Sequence, residues 1–372
     1  MKVMLKELGE IITGNTPSKQ IEEFWNAEDI CFIKPDVIAD SGVNEISESN
    51  EYISEEARKK ARVVSKDAIF VTCIGSIGKI GIAKDGEYAF NQQINAIIPN
   101  EKVHPKYLAY NLLFNKERLI GMANAPVVPI INKSQFGEFT LNIEIDSDKQ
   151  SEIVKVLDKL MDIIKHRENE LFALDALIKA RFVELFGTVE NNVFNFDVKT
   201  IGEVATLKSG TSLPSEIENE GGNVPYIKVG DMNYSGNEYY ITTSSRYVTE
   251  KTAGKGIFEI GTVIFPKRGG AIGTNKKRLT TLPICADLNV MGVTPNKSHI
   301  LPSYLMAYFD LVDLGSLDNG SSVPQINNKD IAPLRICIPP INLQNEFAKF
   351  VEQVDKSKVA IQKIHKKGYN CL

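Results

Sequence analysis

Five cations crowd one short stretch of this chain. Lys267, Arg268, Lys276, Lys277 and Arg278 stand between Val263 and Thr280, with no acidic residue among them and Gly269, Gly270 and Gly273 in between. Glycines let a backbone come close to a ligand. Lysine and arginine bind phosphate, and the arginine fork also matches the O6/N7 edge of guanine. The chemistry this stretch could do is recognition of a polyanion, and the plain alternative is a solvated loop. An earlier stretch, Gly75-Ser76-Ile77-Gly78-Lys79-Ile80-Gly81, is also glycine-rich but misses the GxxxxGK[ST] spacing of a phosphate loop. It reads as a tight connection between strands, compatible with a backbone contact to a phosphate near Ser76 and Lys79. Asn91-Gln92-Gln93, with Asn95 beyond, offers amides of the kind that pair bidentately with adenine, or else the ordinary polar end of a strand.

No catalytic set emerges beside these. His104, His166, His299 and His365 are isolated, and no serine–histidine–acid or cysteine–histidine order can be proposed. Cys31, Cys73, Cys285, Cys337 and Cys371 are far apart and make no CxxC pair, which disfavours zinc, iron–sulfur and disulfide frameworks and fits a reducing cytoplasm. The chain lacks GxGxxG and lacks the Asn/Asp/Ser-Pro-Pro-Tyr/Phe motif of amino-methyltransferases. We therefore expect no cofactor, no metal and no catalysis. The net charge of −4 argues against a generally basic binder but leaves room for local basic patches. No apolar run approaches the ~20 residues of a membrane span, and Met1–Glu7 has no signal-peptide core, so the expected compartment is the cytoplasm.

Two long helices must carry these groups. Ile153, Leu157, Leu160, Ile164, Leu171, Leu174, Ile178 and Leu185, with Arg167 and Arg181, keep a 4,3 spacing that predicts a heptad seam. No glycine or proline interrupts the stretch from Gln150 to Phe186, and Gly187 stands where a helix stop belongs. Phe347, Val351, Val354, Lys358, Ile361 and His365 repeat the spacing near the other end. The second helix looks short, without counterparts to Leu174–Phe186. Both helices open alike, Gln150-Ser151-Glu152 against Gln344-Asn345-Glu346.

The likeness extends through the chain. Leu8-Gly9-Glu10-Ile11 is answered by Ile201-Gly202-Glu203-Val204, Thr13-Gly14 by Ser209-Gly210, Phe32-Ile33-Lys34 by Tyr226-Ile227-Lys228, and Tyr107-Leu108 by Tyr304-Leu305. All offsets lie between 193 and 197 and their order never breaks. The chain is a duplication. Lys34 and Lys228 match in place, as do Lys133 and Asn328 or Lys329, which favours a shared backbone contact over base reading. The expected fold is α+β: two similar mixed α/β globular domains joined by two long antiparallel coiled-coil helices with a pseudo-two-fold repeat. The boundaries are 1–149 for the first domain, 150–187 for the first helix, 188–341 for the second domain and 342–372 for the second helix.

This order of Leu/Ile-Gly-Glu tag, Thr/Ser-Gly, variable domain, Gln-x-Glu and heptad helix resembles the specificity subunit of type I restriction–modification systems across essentially the whole chain. The resemblance implies that each globular domain reads one half of a bipartite site in double-stranded DNA. It implies that the helices set the gap and dock methyltransferase subunits, two of them expected, with restriction and translocase subunits joining through the complex. It implies a subunit that catalyses nothing. The alternatives are a coiled-coil adaptor with two protein-binding domains, a specificity subunit for a fused restriction–methylation enzyme, and an enzyme with an unrecognised site.

Overall fold

The computed structural model describes residues 1–123, 128–317 and 323–370, with backbone alone for 364–370. Its contacts divide the chain into two compact units, residues 1–166 with those from 365 onward, and residues 167–364. The division falls inside the first long helix, and the packing of that helix explains why.

In the first unit, a five-stranded sheet runs in the order Gly9–Thr13, Ile94–Pro99, Ile69–Thr72, Ile80–Ala83, Val43–Ile46. Its neighbours are antiparallel except the last pair, which is parallel. The central strand Ile-Phe-Val-Thr is β-branched and aromatic, and it is buried along its whole length. Its side chains alternate between two cores. Ile69 and Val71 join the cluster under the helix Pro105–Phe114 with Leu108 and Leu112. Phe70 joins Tyr88, Phe90 and Ile33 between this sheet and a second one, of order Tyr52–Ile53, Ile30–Ile33, Glu87–Phe90, Val63–Ser65.

The second unit repeats the plan. The sheet order is Ala205–Ser209, Val290–Pro295, Val263–Pro266, Arg278–Thr280, Tyr240–Ile241, again with only the last pair parallel. Val263 and Phe265 face the larger core with Tyr304, while Ile264 faces the smaller one with Ile227. The second sheet has three strands, Tyr247–Val248, Val224–Ile227 and Cys285–Ala286.

The repeat reaches single hydrogen bonds. Gly14 N donates to Ile94 O at 3.0 Å, and Gly210 N to Val290 O at 2.9 Å. Cys73 N donates to Gln93 O at 2.8 Å, and Lys267 N to Asn289 O at 2.8 Å. Ile131 N donates to Cys73 O at 2.8 Å, and Ile326 N to Lys267 O at 2.9 Å. The glycine of each Thr/Ser-Gly tag has a steric cause: a Cβ on Gly14 would lie 2.1 Å from Asn91 O, and one on Gly210 would lie 2.2 Å from Asp287 O.

The first long helix spans Ser147–Phe186 and ends at Gly187, whose φ of 66° and N–H bond to Val183 O form a left-handed cap. The second spans Ile341–Asn370, thirty residues against forty. In the second unit the two run antiparallel: Arg181 pairs with Glu346 at 3.2 Å, while the earlier Asp175 pairs with the later Lys358 at 2.6 Å. Phe182, Phe186, Tyr304 and Phe347 form one aromatic cluster there. In the first unit the same helix enters a different core through Val154, and its Asp158 holds Lys106 and Tyr110.

The seam differs from its expected form for that reason. Ile164 and Ile178 are buried, Leu157, Leu160, Leu171, Leu174 and Leu185 are half-buried, and Ile153 is exposed. Val154, Phe182 and Phe186, off the 4,3 spacing, are buried instead. Globular-domain surfaces cover a second stripe of the helix, which a seam drawn for helix–helix packing alone leaves out. On the second helix Phe347, Val351 and Val354 are buried, and Lys358 and Ile361 are half-buried. The His365 side chain lies outside the described residues.

Each Gln-x-Glu tag fastens a helix to its domain. Gln150, 1% exposed, accepts from His104 N at 2.7 Å and donates to Lys102 O and Glu144 O. Gln344, 0% exposed, accepts from Leu301 N at 2.8 Å and donates to His299 O and Pro339 O. A buried amide with all three bonds made satisfies backbone groups that the helix and strand ladders leave over.

Candidate nucleic-acid interface

The strand ladders bring the candidate residues to one end of each unit. In the first, strands Gly9–Thr13, Ile30–Ile33, Ile69–Thr72 and Glu87–Phe90 all finish at the end where Ile94–Pro99 begins. The turn 91–93 lies at that rim. Asn91 Oδ1 accepts from Gln93 N and folds the chain between the strands Glu87–Phe90 and Ile94–Pro99. Asn91 N donates to Ile33 O, just before Lys34, and Cys73 N to Gln93 O, just before the Gly75–Gly78 loop.

Few of these groups are free for a ligand. Gln92 is exposed, its Oε1 accepting from Thr16 Oγ1 at 2.9 Å while its amide N–H groups face outward without a protein acceptor among the described residues. Ser76 is exposed at the loop tip, and Lys133 is exposed at the start of a helix capped by Asn132 and Gln135. Gln93 is half-buried and receives the Asn91 amide. Asn95 is a correction: it is 2% exposed, inside the sheet, and accepts from Thr13 Oγ1 at 2.6 Å, so it cannot present its amide to DNA. Lys79 is half-buried and reaches back to Asp40 at 2.7 Å. Sequence reasoning missed Asn15, Thr16 and Arg62, which meet at this rim: Asn15 Nδ2 donates to Lys60 O, and Arg62 to Thr13 O. The Thr13-Gly14 tag was the signal available for them.

The basic stretch of the second unit separates into two kinds of cation. Arg268 is exposed on the rim, opposite Gln325 in an isolated antiparallel bridge, and begins the short helix Gly269–Thr274. Lys276 is half-buried and donates to Asn233 Oδ1. The other three are corrections to a uniformly DNA-facing loop. Lys277 is 4% exposed and donates to Asn275 Oδ1 at 2.8 Å and Val312 O at 2.7 Å, and burial lowers its pKa to about 8. Arg278 spends its guanidinium on Lys277 O and Met232 O. Lys267 is 7% exposed and donates to Ser209 Oγ at 2.9 Å, its pKa lowered by burial and then by Arg268. These cations fix the loop from inside, where carbonyl oxygens and, for Lys267, the Ser209 hydroxyl accept their hydrogen bonds.

Lys34 and Lys228 stand at the same place in both units, one residue past the strands Ile30–Ile33 and Val224–Ile227. Lys34 pairs with Glu51 at 2.5 Å and Lys228 with Glu218 at 2.6 Å. The glutamate hydrogen bond raises the Lys34 pKa, and the lysines hold both carboxyls below the usual range.

A duplicated scaffold that turns a polar, partly cationic rim outward twice, and hangs each copy on a long helix by a buried glutamine, defines a two-headed recognition protein. The chain belongs to the family of type I restriction–modification DNA specificity domains, whose profile matches residues 1–173 and again 195–368. It is 26% identical over 389 aligned positions to the type I restriction enzyme MjaIX specificity subunit of Methanocaldococcus jannaschii, covering 96% of this chain and 87% of that one. Over 109 positions it is 32% identical to the HindI specificity subunit of Haemophilus influenzae, covering 29% of this chain and 23% of that one. Its fold matches the crystal structure of a type I restriction–modification S subunit from M. genitalium with a TM-score of 0.54 at 15% identity, across 100% of this chain and 93% of that one. The protein is a type I specificity subunit with two target-recognition domains. No helix among the described residues is long and apolar enough to cross a membrane.

Proposed function

We propose that each globular unit reads one half of a bipartite site in double-stranded DNA, and that the chain leaves methyl transfer and cleavage to partner subunits. The observation that carries this reading is the repeat of one sheet order and one hydrogen-bond register with different side chains on the two rims. At the position of Ile74 stands Arg268, and at that of its bridge partner Ile130 stands Gln325. A constant frame with changed rim chemistry is what reading two unlike half-sites requires. The long helices dock two methyltransferase subunits and set the gap between halves, restriction subunits join through that complex, and the assembly works in the cytoplasm.

Exchange of residues 194–341 for the same segment of a relative tests the division of labour. Methylome sequencing of cells carrying the exchanged chain and its methyltransferase is expected to show one half of the motif changed and the other kept. Change in both halves, or in neither, refutes the assignment. Inserting four residues after Lys165 tests the spacing role. It lengthens the helix by ~6 Å at ~1.5 Å per residue, and a heptad seam absorbs four residues as a stutter. The expected motif keeps both halves and widens its gap by roughly one to two base pairs.

A further inference from the structure

We propose that Lys34 with Lys19, and Lys228 with Arg246, are equivalent phosphate clamps, one per unit, held ready by Glu51 and Glu218; this rests on the reading of both units as DNA-binding. In the first unit Glu51 bridges Lys34 at 2.5 Å and Lys19 at 3.2 Å. In the second, Glu218 bridges Lys228 at 2.6 Å and Arg246 at 3.1 Å. Each set holds two cations and one carboxylate. Each lies where a strand of the second sheet ends, beside the turn that carries the rim: Asn91 N donates to Ile33 O and Asp287 N to Ile227 O.

The duplication does not supply the likeness by inheritance. The lysines match in position, but Glu51 follows its lysine and Glu218 precedes its own. At the place that answers Glu51 the second unit has Arg246, the opposite charge. Two sequence routes therefore lead to one arrangement, which points to a demand on the arrangement itself. Structural ion pairs alone do not explain why both sets carry a spare cation at a rim. The lysine side chains remain about a third exposed, 31% and 34%, open to an incoming group. Asp36 also acts on Lys34 with its charge intact, its carboxylate accepting from the Asn50 amide at 3.4 Å.

The carboxylate orients without neutralising. A lysine already pinned in one rotamer loses less freedom when it takes a phosphate oxygen, and the two cations of each set converge on one phosphodiester. The contact carries no base information, so it serves any half-site that the rim is changed to read.

The test uses the chain assembled with its methyltransferase subunits, and duplexes carrying either the methylated motif or a scrambled one. Lys34→Met and Lys228→Met are each expected to weaken binding to both duplexes by the same factor, about three- to tenfold near 0.1 M salt, and to reduce the slope of log K against log salt by about one. Glu51→Gln and Glu218→Gln are expected to weaken binding as well, although they remove negative charge. Thermal melting of each variant assembly checks that it is folded. If the unmutated assembly does not distinguish the two duplexes, the proposed function fails. If it does, and the lysine variants keep its affinity and salt slope, the clamp alone is overturned. Loss confined to the cognate duplex overturns it too, as does tighter binding by the glutamine variants.

Discussion

Replacing Gln150 by leucine isolates the latch between the first unit and its helix. The leucine has nearly the volume of the glutamine and keeps the site filled, so cavity formation contributes little. What it removes is three hydrogen bonds, from His104 N and to Lys102 O and Glu144 O, at a residue 1% exposed. Each buried polar group left without a partner costs about 1–3 kcal/mol, which puts the loss at about 3–6 kcal/mol when the carbonyls are partly rehydrated. Burying the leucine returns ~1–2 kcal/mol, leaving a net destabilisation of about 2–4 kcal/mol. Trp25 is the chain's single tryptophan and lies in the first unit, packed edge-on against Phe32, so its fluorescence follows the unfolding of that unit. With a urea slope of about 2 kcal/mol per molar, the midpoint is expected to fall by about 1–2 M. A change below about 1 kcal/mol would mean that the three backbone groups find other partners and that the glutamine is not what fastens the helix.

Three further outcomes separate structural from functional residues. Arg268→Glu should weaken DNA binding with the melting temperature unchanged, whereas Lys277→Glu should destabilise the second unit by several kcal/mol, because it buries a carboxylate against Val312 O; equal behaviour of the two in melting and gel-shift assays would contradict the division of the basic loop. Gly210→Ala should cost about 3 kcal/mol in chemical denaturation, since its Cβ would sit 2.2 Å from Asp287 O and 2.3 Å from Ala286 O, while Gly121→Ala, with nothing within 4 Å, should be tolerated. Burial raises Asp310 from 3.8 to about 6, so its contribution to stability is complete below pH ~4 and is lost as pH rises through ~6. That loss is at most about 3 kcal/mol, because the side chain keeps some contact with water. Asp310→Asn should remove this fall from urea titrations between pH 4 and 7, over which Lys277, at about 8, stays charged.

The duplication, the sheet-forming segments and both long helices are legible in the sequence because they rest on periodicity and on repeated tags. Which residues are free to touch DNA is not legible in the same way. Lys267, Lys277 and Arg278 look alike to a reader of composition as Arg268 does, yet three of the four are folded inward onto Ser209, Val312 O and Met232 O. Those acceptors lie far away in sequence, and the direction of a long side chain depends on where they fall. Asn95 looked like a base reader, but strand alternation turns it to Thr13. Val154, Phe182 and Phe186 escaped the heptad because globular cores, through Tyr304 for the two phenylalanines, cover them as well, and the phase of that second buried stripe is set by surfaces that a helix sequence does not record.

The bonds that place each rim are made by main-chain atoms. Gly14 and Gly210, Cys73 and Lys267, and Ile131 and Ile326 make the same main-chain contacts, and the middle pair does so with unrelated side chains. The glycines are constrained in identity by space rather than by chemistry. Substitution on the rim therefore leaves the frame's folding problem already solved. Such a molecule is evolvable in a specific sense: a lineage can rewrite what the protein recognises, one head at a time, through point changes or through recombination at the constant tags, without passing through unfolded intermediates.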